Sequence, residues 1–61
     1  MYRIINSTDG KYKGTLLNEK EIYQGSVVSL VEFNFRIDSI KEVGDTIILI
    51  NPNYIIYCVK E

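Results

Sequence analysis

Thr46-Ile47-Ile48-Leu49-Ile50-Asn51-Pro52-Asn53-Tyr54-Ile55-Ile56-Tyr57-Cys58-Val59-Lys60 is the stretch whose reading decides the fold. Asn51-Pro52-Asn53-Tyr54 is a turn, because proline presets φ at the second turn position and Asn tolerates the third. The flanks are rich in β-branched and aromatic residues and too short for helices. The stretch therefore predicts a β-hairpin. With Pro52 and Asn53 as its loop, Ile50 faces Ile55, Ile48 faces Tyr57 and Thr46 faces Val59. The opposite side carries Ile47, Leu49, Tyr54, Ile56 and Cys58. Half-buried antiparallel strands alternate apolar with polar residues, and here both sides are apolar. One face must be covered by the rest of the chain. The other calls for a second chain, or for a closed barrel with a loop folded over it. Small domains bury proportionally little of their surface, which favours a homo-oligomer interface formed by Ile48, Ile50, Ile55 and Tyr57.

The rest of the chain reads as more strands and turns. Tyr2–Asn6 predicts a first strand, and Asp9-Gly10 a type I′ hairpin loop that sets Tyr2 opposite Leu17 and Ile5 opposite Gly14. Gly14 then suggests a bulge or a close backbone approach. Asn18 with Glu21 three residues on resembles a capping box, so one short helical turn or a loop precedes Gly25. Ser26–Asp38 predicts the longest strand, with Val31, Phe33, Phe35 and Ile37 alternating against Glu32, Asn34, Arg36 and Asp38, and a bend near Leu30-Val31. Gly44-Asp45 suits a type II′ loop into Thr46. Gly25–Val31 and Gly44–Ile50 share one grammar, a glycine turn entering an apolar strand. The expected fold is all-β: one domain over 1–61, a five-stranded antiparallel meander curled into a small barrel or half-barrel, SH3-like in geometry only.

Composition narrows the function. The 61 residues include no His and one Cys, so neither a Cys/His metal set nor an internal disulfide is expected. Cys58, between apolar neighbours, reads as a buried structural thiol. Without His, Ser-His and Cys-His nucleophiles are excluded. A Ser-Lys pair has no spacing to favour it, and the carboxylates are scattered along turns and the solvent side. Gly10-Lys11-Tyr12-Lys13-Gly14 lacks the strand-to-helix context of a phosphate loop. No catalytic residue, cofactor or metal is expected. The net charge of −1 argues against broad DNA binding. No leader or membrane-spanning stretch is read, and a free Cys suits a reducing cytoplasm. The wealth of Ile, Asn, Lys and Tyr points to an AT-rich genome, a low-GC bacterium or its phage.

Charge is uneven. Residues 1–17 hold Arg3, Lys11 and Lys13 against Asp9 alone, while the remaining four cations face seven acids. Tyr2, Arg3, Lys11, Tyr12 and Lys13 are therefore the candidate ligand-binding set, since cations among aromatics grip phosphate and stack a base. The bland reading is a solvated edge kept soluble by its lysines. Asn34 and Arg36 on the polar side of the long strand are the candidate partner-binding residues. The expected function is a non-catalytic binding protein acting by occupancy, a homo-oligomer that inhibits a host protein or sequesters a small anionic, nucleotide-type ligand. An SH3- or Sm-like nucleic-acid-binding regulator and a structural subunit are the alternatives.

Overall fold

The computed structural model describes residues 1–61. Seven strands and one 3-10 turn follow in order: β1 Tyr2–Ser7, β2 Leu16–Leu17, the turn Glu19–Glu21, β3 Val27–Ser29, β4 Asn34–Arg36, β5 Ser39–Val43, β6 Thr46–Ile50 and β7 Ile55–Lys60. They form an antiparallel five-stranded sheet, β2-β1-β7-β6-β5, and a separate β3–β4 hairpin. The five-strand expectation is thus corrected to seven, in two sheets that do not close on each other. Nor is the order a simple meander. The N-terminal strand inserts between β2 and the C-terminal strand, and Glu61 N donates to Met1 O at 2.8 Å.

The β6–β7 hairpin has the register read from its turn: Ile50 opposite Ile55, Ile48 opposite Tyr57, Thr46 opposite Val59. The turn is fastened by a side chain as well as by proline. Asn51 Oδ1 accepts from the backbone N–H groups of Asn53 and Tyr54, both at 2.8 Å. This Asx arrangement holds the chain reversal locally. The β5–β6 loop is Gly44-Asp45, as read, with Gly44 at φ +60°, a conformation that only glycine adopts cheaply. Asn18 also caps as expected, its Oδ1 accepting from Lys20 N at 3.0 Å.

Two local readings are corrected. Ser26–Asp38 is not one strand but a hairpin. Val28 pairs with Phe35 and Ser29 with Asn34, and Leu30 N donates to Phe33 O at 2.9 Å. Val31 and Glu32 form the tip, neither with positive φ, so no glycine or asparagine announces the turn. The alternating pattern survives only in part. Phe35 and Ile37 are fully buried, whereas Val31 at the tip is 94% exposed. Asp9-Gly10 is likewise not a type I′ loop. Gly10 N donates to Ser7 O at 3.1 Å and only Gly10 of the pair has positive φ, which sets Thr8 and Asp9 at the centre of the turn. The chain then leaves the ladder over Lys11–Lys13 and bonds to β1 again from Gly14 and Thr15 onward. The expected register Tyr2–Leu17 still holds. The bulge read at Gly14 is present: Gly14 N donates to Ile4 O at 2.8 Å and Ile4 N to Thr15 O at 2.9 Å, so Gly14, at φ +88°, and Thr15 together oppose Ile4. A second irregularity falls in β1, between Ile4 and Asn6 against β7.

The core is one cluster between the sheet and the hairpin. From the sheet side come Ile4, Leu17, Ile47, Leu49, Ile56 and Cys58; Val28, Phe35 and Ile37 close it from the other. Period-two alternation dictates this sorting. Ile47, Leu49, Ile56 and Cys58 point inward, and their neighbours Ile48, Ile50, Ile55, Tyr57 and Val59 point away from the core. No helix of the chain is long and apolar enough to cross a membrane.

Candidate functional site: the outer face of the sheet

The outward side chains of the sheet form three rows across the strands. Arg3, Val59, Thr46 and Val43 make the first. Asn6, Tyr57, Ile48 and Lys41 make the second, and Ile55, Ile50 and Ser39 the third. The central positions, Ile48, Ile50, Ile55, Tyr57 and Val59, are partly buried within these rows, and none of them is among the residues packed against the core. Exposed Ile5 and Val43 extend the patch toward β1 and β5. Polar groups sit at its margins: Lys41 on β5, Asn6 on β1, and Arg3 ion-paired with Glu61 at 2.5 Å. The four residues named from the sequence as an interface, Ile48, Ile50, Ile55 and Tyr57, lie together at the centre of this face.

The candidate ligand set does not come together in the same way. Tyr2 and Arg3 stand at the start of β1. Lys11 and Tyr12 stand beyond its far end, where Ser7 Oγ donates to Lys11 O at 2.7 Å. Five residues of extended strand, about 17 Å, separate the two groups. The cations are also engaged. Arg3 Nε and Nη2 bind the Glu61 carboxylate, and Lys11 Nζ binds Glu32 at 3.1 Å. Lys13 alone of the three has no carboxylate partner. Asn34 and Arg36 are exposed on the outside of the β3–β4 hairpin, with Phe35 between them pointing into the core. Arg36 Nε lies 3.5 Å from Asp38 Oδ1.

What joins Lys11 and Tyr12 to the rest is a clamp that sequence reasoning missed. Tyr12 OH donates to Glu32 at 3.0 Å, so the hairpin tip is tied to the β1–β2 loop. The rings of Tyr12, Phe33, Tyr54 and Phe35 follow one another edge to face, with centroids 6.2, 5.2 and 6.1 Å apart. Tyr54 OH donates to Asp9 Oδ1, which also accepts from Lys11 N at 3.1 Å. Tyr12 holds φ +69° in this arrangement, an unusual conformation for an aromatic residue and one that local sequence does not announce. The separation of these residues in the chain, some twenty to forty-five positions, left no pattern by which to read the clamp.

The clamp sets the ionisation of its members. The Lys11 ammonium, followed by the Tyr12 hydroxyl, holds Glu32 below its usual range. The Tyr54 hydroxyl does the same for Asp9, and Arg3 for Glu61. Each carboxylate therefore takes up a proton less readily in the folded chain than in the unfolded one. Their stabilising contribution is fully present above the unfolded carboxylate pKa of about 4 and is lost as pH falls through the lower folded values. Urea midpoints are expected to fall as the pH drops below that range, and Glu32→Gln is expected to flatten the fall. An equally steep fall in the variant would remove Glu32 from this role.

One shallow cleft of about 220 Å3 opens beside the β5–β6 loop, lined by Tyr2, Glu42, Gly44, Asp45, Ile47 and Lys60. It brings two carboxylates, one ammonium and one phenol to a common rim. No three carboxylate or thiol groups converge anywhere in the chain. Cys58 is buried among the core residues, and desolvation pushes its thiol up to about 11. A thiol so protonated is a poor nucleophile at neutral pH. No protein-family model, no curated protein and no solved structure matches this chain.

Proposed function

We propose that this protein is a non-catalytic binding protein that acts by occupancy, and that the outer face of its sheet is the surface that does the binding. The observation that carries this reading is the pairing of two apolar faces on β6 and β7 with only one of them covered. Large apolar patches seldom stay bare in water. A central Tyr with aliphatic neighbours and a polar margin also has the make-up of an interaction surface. The frame behind it is read as an open half-barrel of SH3-like geometry.

The same reading keeps the protein in the cytoplasm and gives it a protein partner rather than a nucleic acid. A nucleotide-trapping role finds less support, since Tyr2 and Arg3 stand apart from Lys11 and Tyr12 and three of these groups are already engaged.

The test places a photo-reactive phenylalanine analogue at position 50, on the outer face, or at position 31, on the exposed hairpin tip. On irradiation in the producing cell, the probe at position 50 is expected to give a discrete adduct and the probe at position 31 none. Adducts from position 31 alone would move the binding surface to the hairpin.

A further inference from the structure

We propose that the occupant of the outer face is a second copy of this chain, docked face to face about a two-fold axis that runs parallel to the strands. The inference rests on the outer face being the binding surface, and it adds the partner and the geometry.

Size is the first argument. Five strands about 4.8 Å apart and about 18 Å long make a face of roughly 19 by 18 Å. That is close to a tenth of the 4000 Å2 surface of the chain, but at roughly 340 Å2 per copy it is under half of the roughly 800 Å2 that each partner gives to a standard interface, which makes the contact a weak one. A face of this kind gives a weak dimer, formed only toward the upper end of the micromolar-to-millimolar range. Two sheets packed face to face keep their strands nearly aligned, about 10 Å apart. The apolar grid of the outer face meets that requirement without any loop standing above it.

Charge selects the axis. An isologous face-to-face dimer has two simple arrangements. If the axis ran across the strands, β5 would lie over the partner's β5. Lys41, in the middle row, would then face its own copy, and like charges opposed in a drying interface are costly. If the axis runs along the strands, midway between β7 and β6, the rows are kept and the strands exchange. β1 lies over β5 and β7 over β6. Lys41 of each copy then meets Asn6 of the other. Asn6 Oδ1 already accepts from Ser7 N and keeps a second lone pair for an ammonium. The neighbouring Arg3 is neutralised by Glu61. In the same arrangement each Tyr57 ring lies over the other copy's Ile48, so the largest side chain of the patch fills the centre of the contact.

The edges of the sheet do not compete. β2 is two residues long, and β5 carries Lys41 and Glu42, the short and charged edges that discourage strand addition.

The experiment has two parts. Sedimentation equilibrium of the full chain, from micromolar to millimolar concentration, is expected to follow the mass from one chain to two. Chains carrying Asn6→Cys are then mixed with chains carrying Lys41→Cys and treated with a short bis-maleimide, because sheets about 10 Å apart hold opposed cysteines beyond disulfide reach. Both positions are exposed, so the substitutions leave the core intact, and Cys58 is buried away from the reagent. The mixed crosslink between the two chains is expected to dominate, with each variant alone remaining largely unlinked. A single-chain mass at every concentration would overturn the proposal. So would Lys41→Cys chains linking to one another in preference to Asn6→Cys chains. A single-chain mass with adducts still forming at position 50 would leave the binding face standing and replace the second copy with another protein.

Discussion

Phe35→Ala is expected to leave this protein largely unfolded at room temperature. Phe35 is fully buried and is among the largest side chains of the core. It reaches from the β3–β4 hairpin into the space bounded by the sheet, opposite Val28 and edge-on to Tyr54 at 6.1 Å. Emptying such a site costs about 3–5 kcal/mol, part for the lost transfer of the ring and part for the cavity left behind. A chain of this length has a total stability of about 3–9 kcal/mol. The loss therefore consumes between about a third and all of it. The only other core residues on this side of the molecule are Val28 and the neighbouring Ile37, so what remains to hold the hairpin is chiefly the more exposed clamp through Glu32 and Phe33. Far-UV circular dichroism in the absence of denaturant is the direct readout. Phe35→Leu, which nearly conserves volume, is expected to stay folded with a loss of about 1.5 kcal/mol or less. A folded, cooperatively melting Phe35→Ala chain would mean that the hairpin contributes little to the core.

Tyr54→Ala is expected to have the next largest effect, about 2–3 kcal/mol, and Tyr54→Phe to have much less. The phenol ring is wedged between Phe33 and Phe35, and its hydroxyl binds Asp9. Alanine removes the ring and releases the hairpin tip and the β1–β2 loop together. Phenylalanine keeps both ring contacts and deletes only the hydroxyl. Because that hydroxyl is the chief cause of the low Asp9 pKa, Tyr54→Phe is expected to return the Asp9 carboxyl toward its ordinary value. The shift is readable by nuclear magnetic resonance titration. Equal losses from the two substitutions would make the hydrogen bond, rather than the aromatic stack, the principal fastening.

The parts of the molecule legible in the sequence are those whose geometry is local. The β6–β7 register followed from Asn51-Pro52, because a turn of fixed length sets every cross-strand pair beyond it. The β5–β6 loop followed from Gly44, because positive φ at that point leaves few alternatives. The division of the last hairpin into a buried and an outward face followed from period-two alternation. That step also put Ile48, Ile50, Ile55 and Tyr57 on one surface. The charged set of residues 1–17 was legible as a composition but not as a place. Tyr2 and Lys11 lie close in sequence, yet an extended strand carries them to opposite ends of the sheet.

Tertiary structure decided the rest. Nothing local turns the chain at Val31-Glu32. The reversal is tied down by Glu32 to Lys11 and Tyr12 and by the Phe33–Tyr54 contact, and these partners come from distant parts of the chain. Nothing local halts the strand pattern after Gly10 either, where Tyr12 reaches toward the hairpin tip and Thr8 exchanges hydrogen bonds with Ile55. The sequence by itself determined two hairpins and the two faces of the sheet, because turn chemistry and alternation act within a few residues. The strand order, the hairpin folded over the core and the aromatic clamp were decided only by packing, because the contacts that stabilise them exist only once distant segments meet.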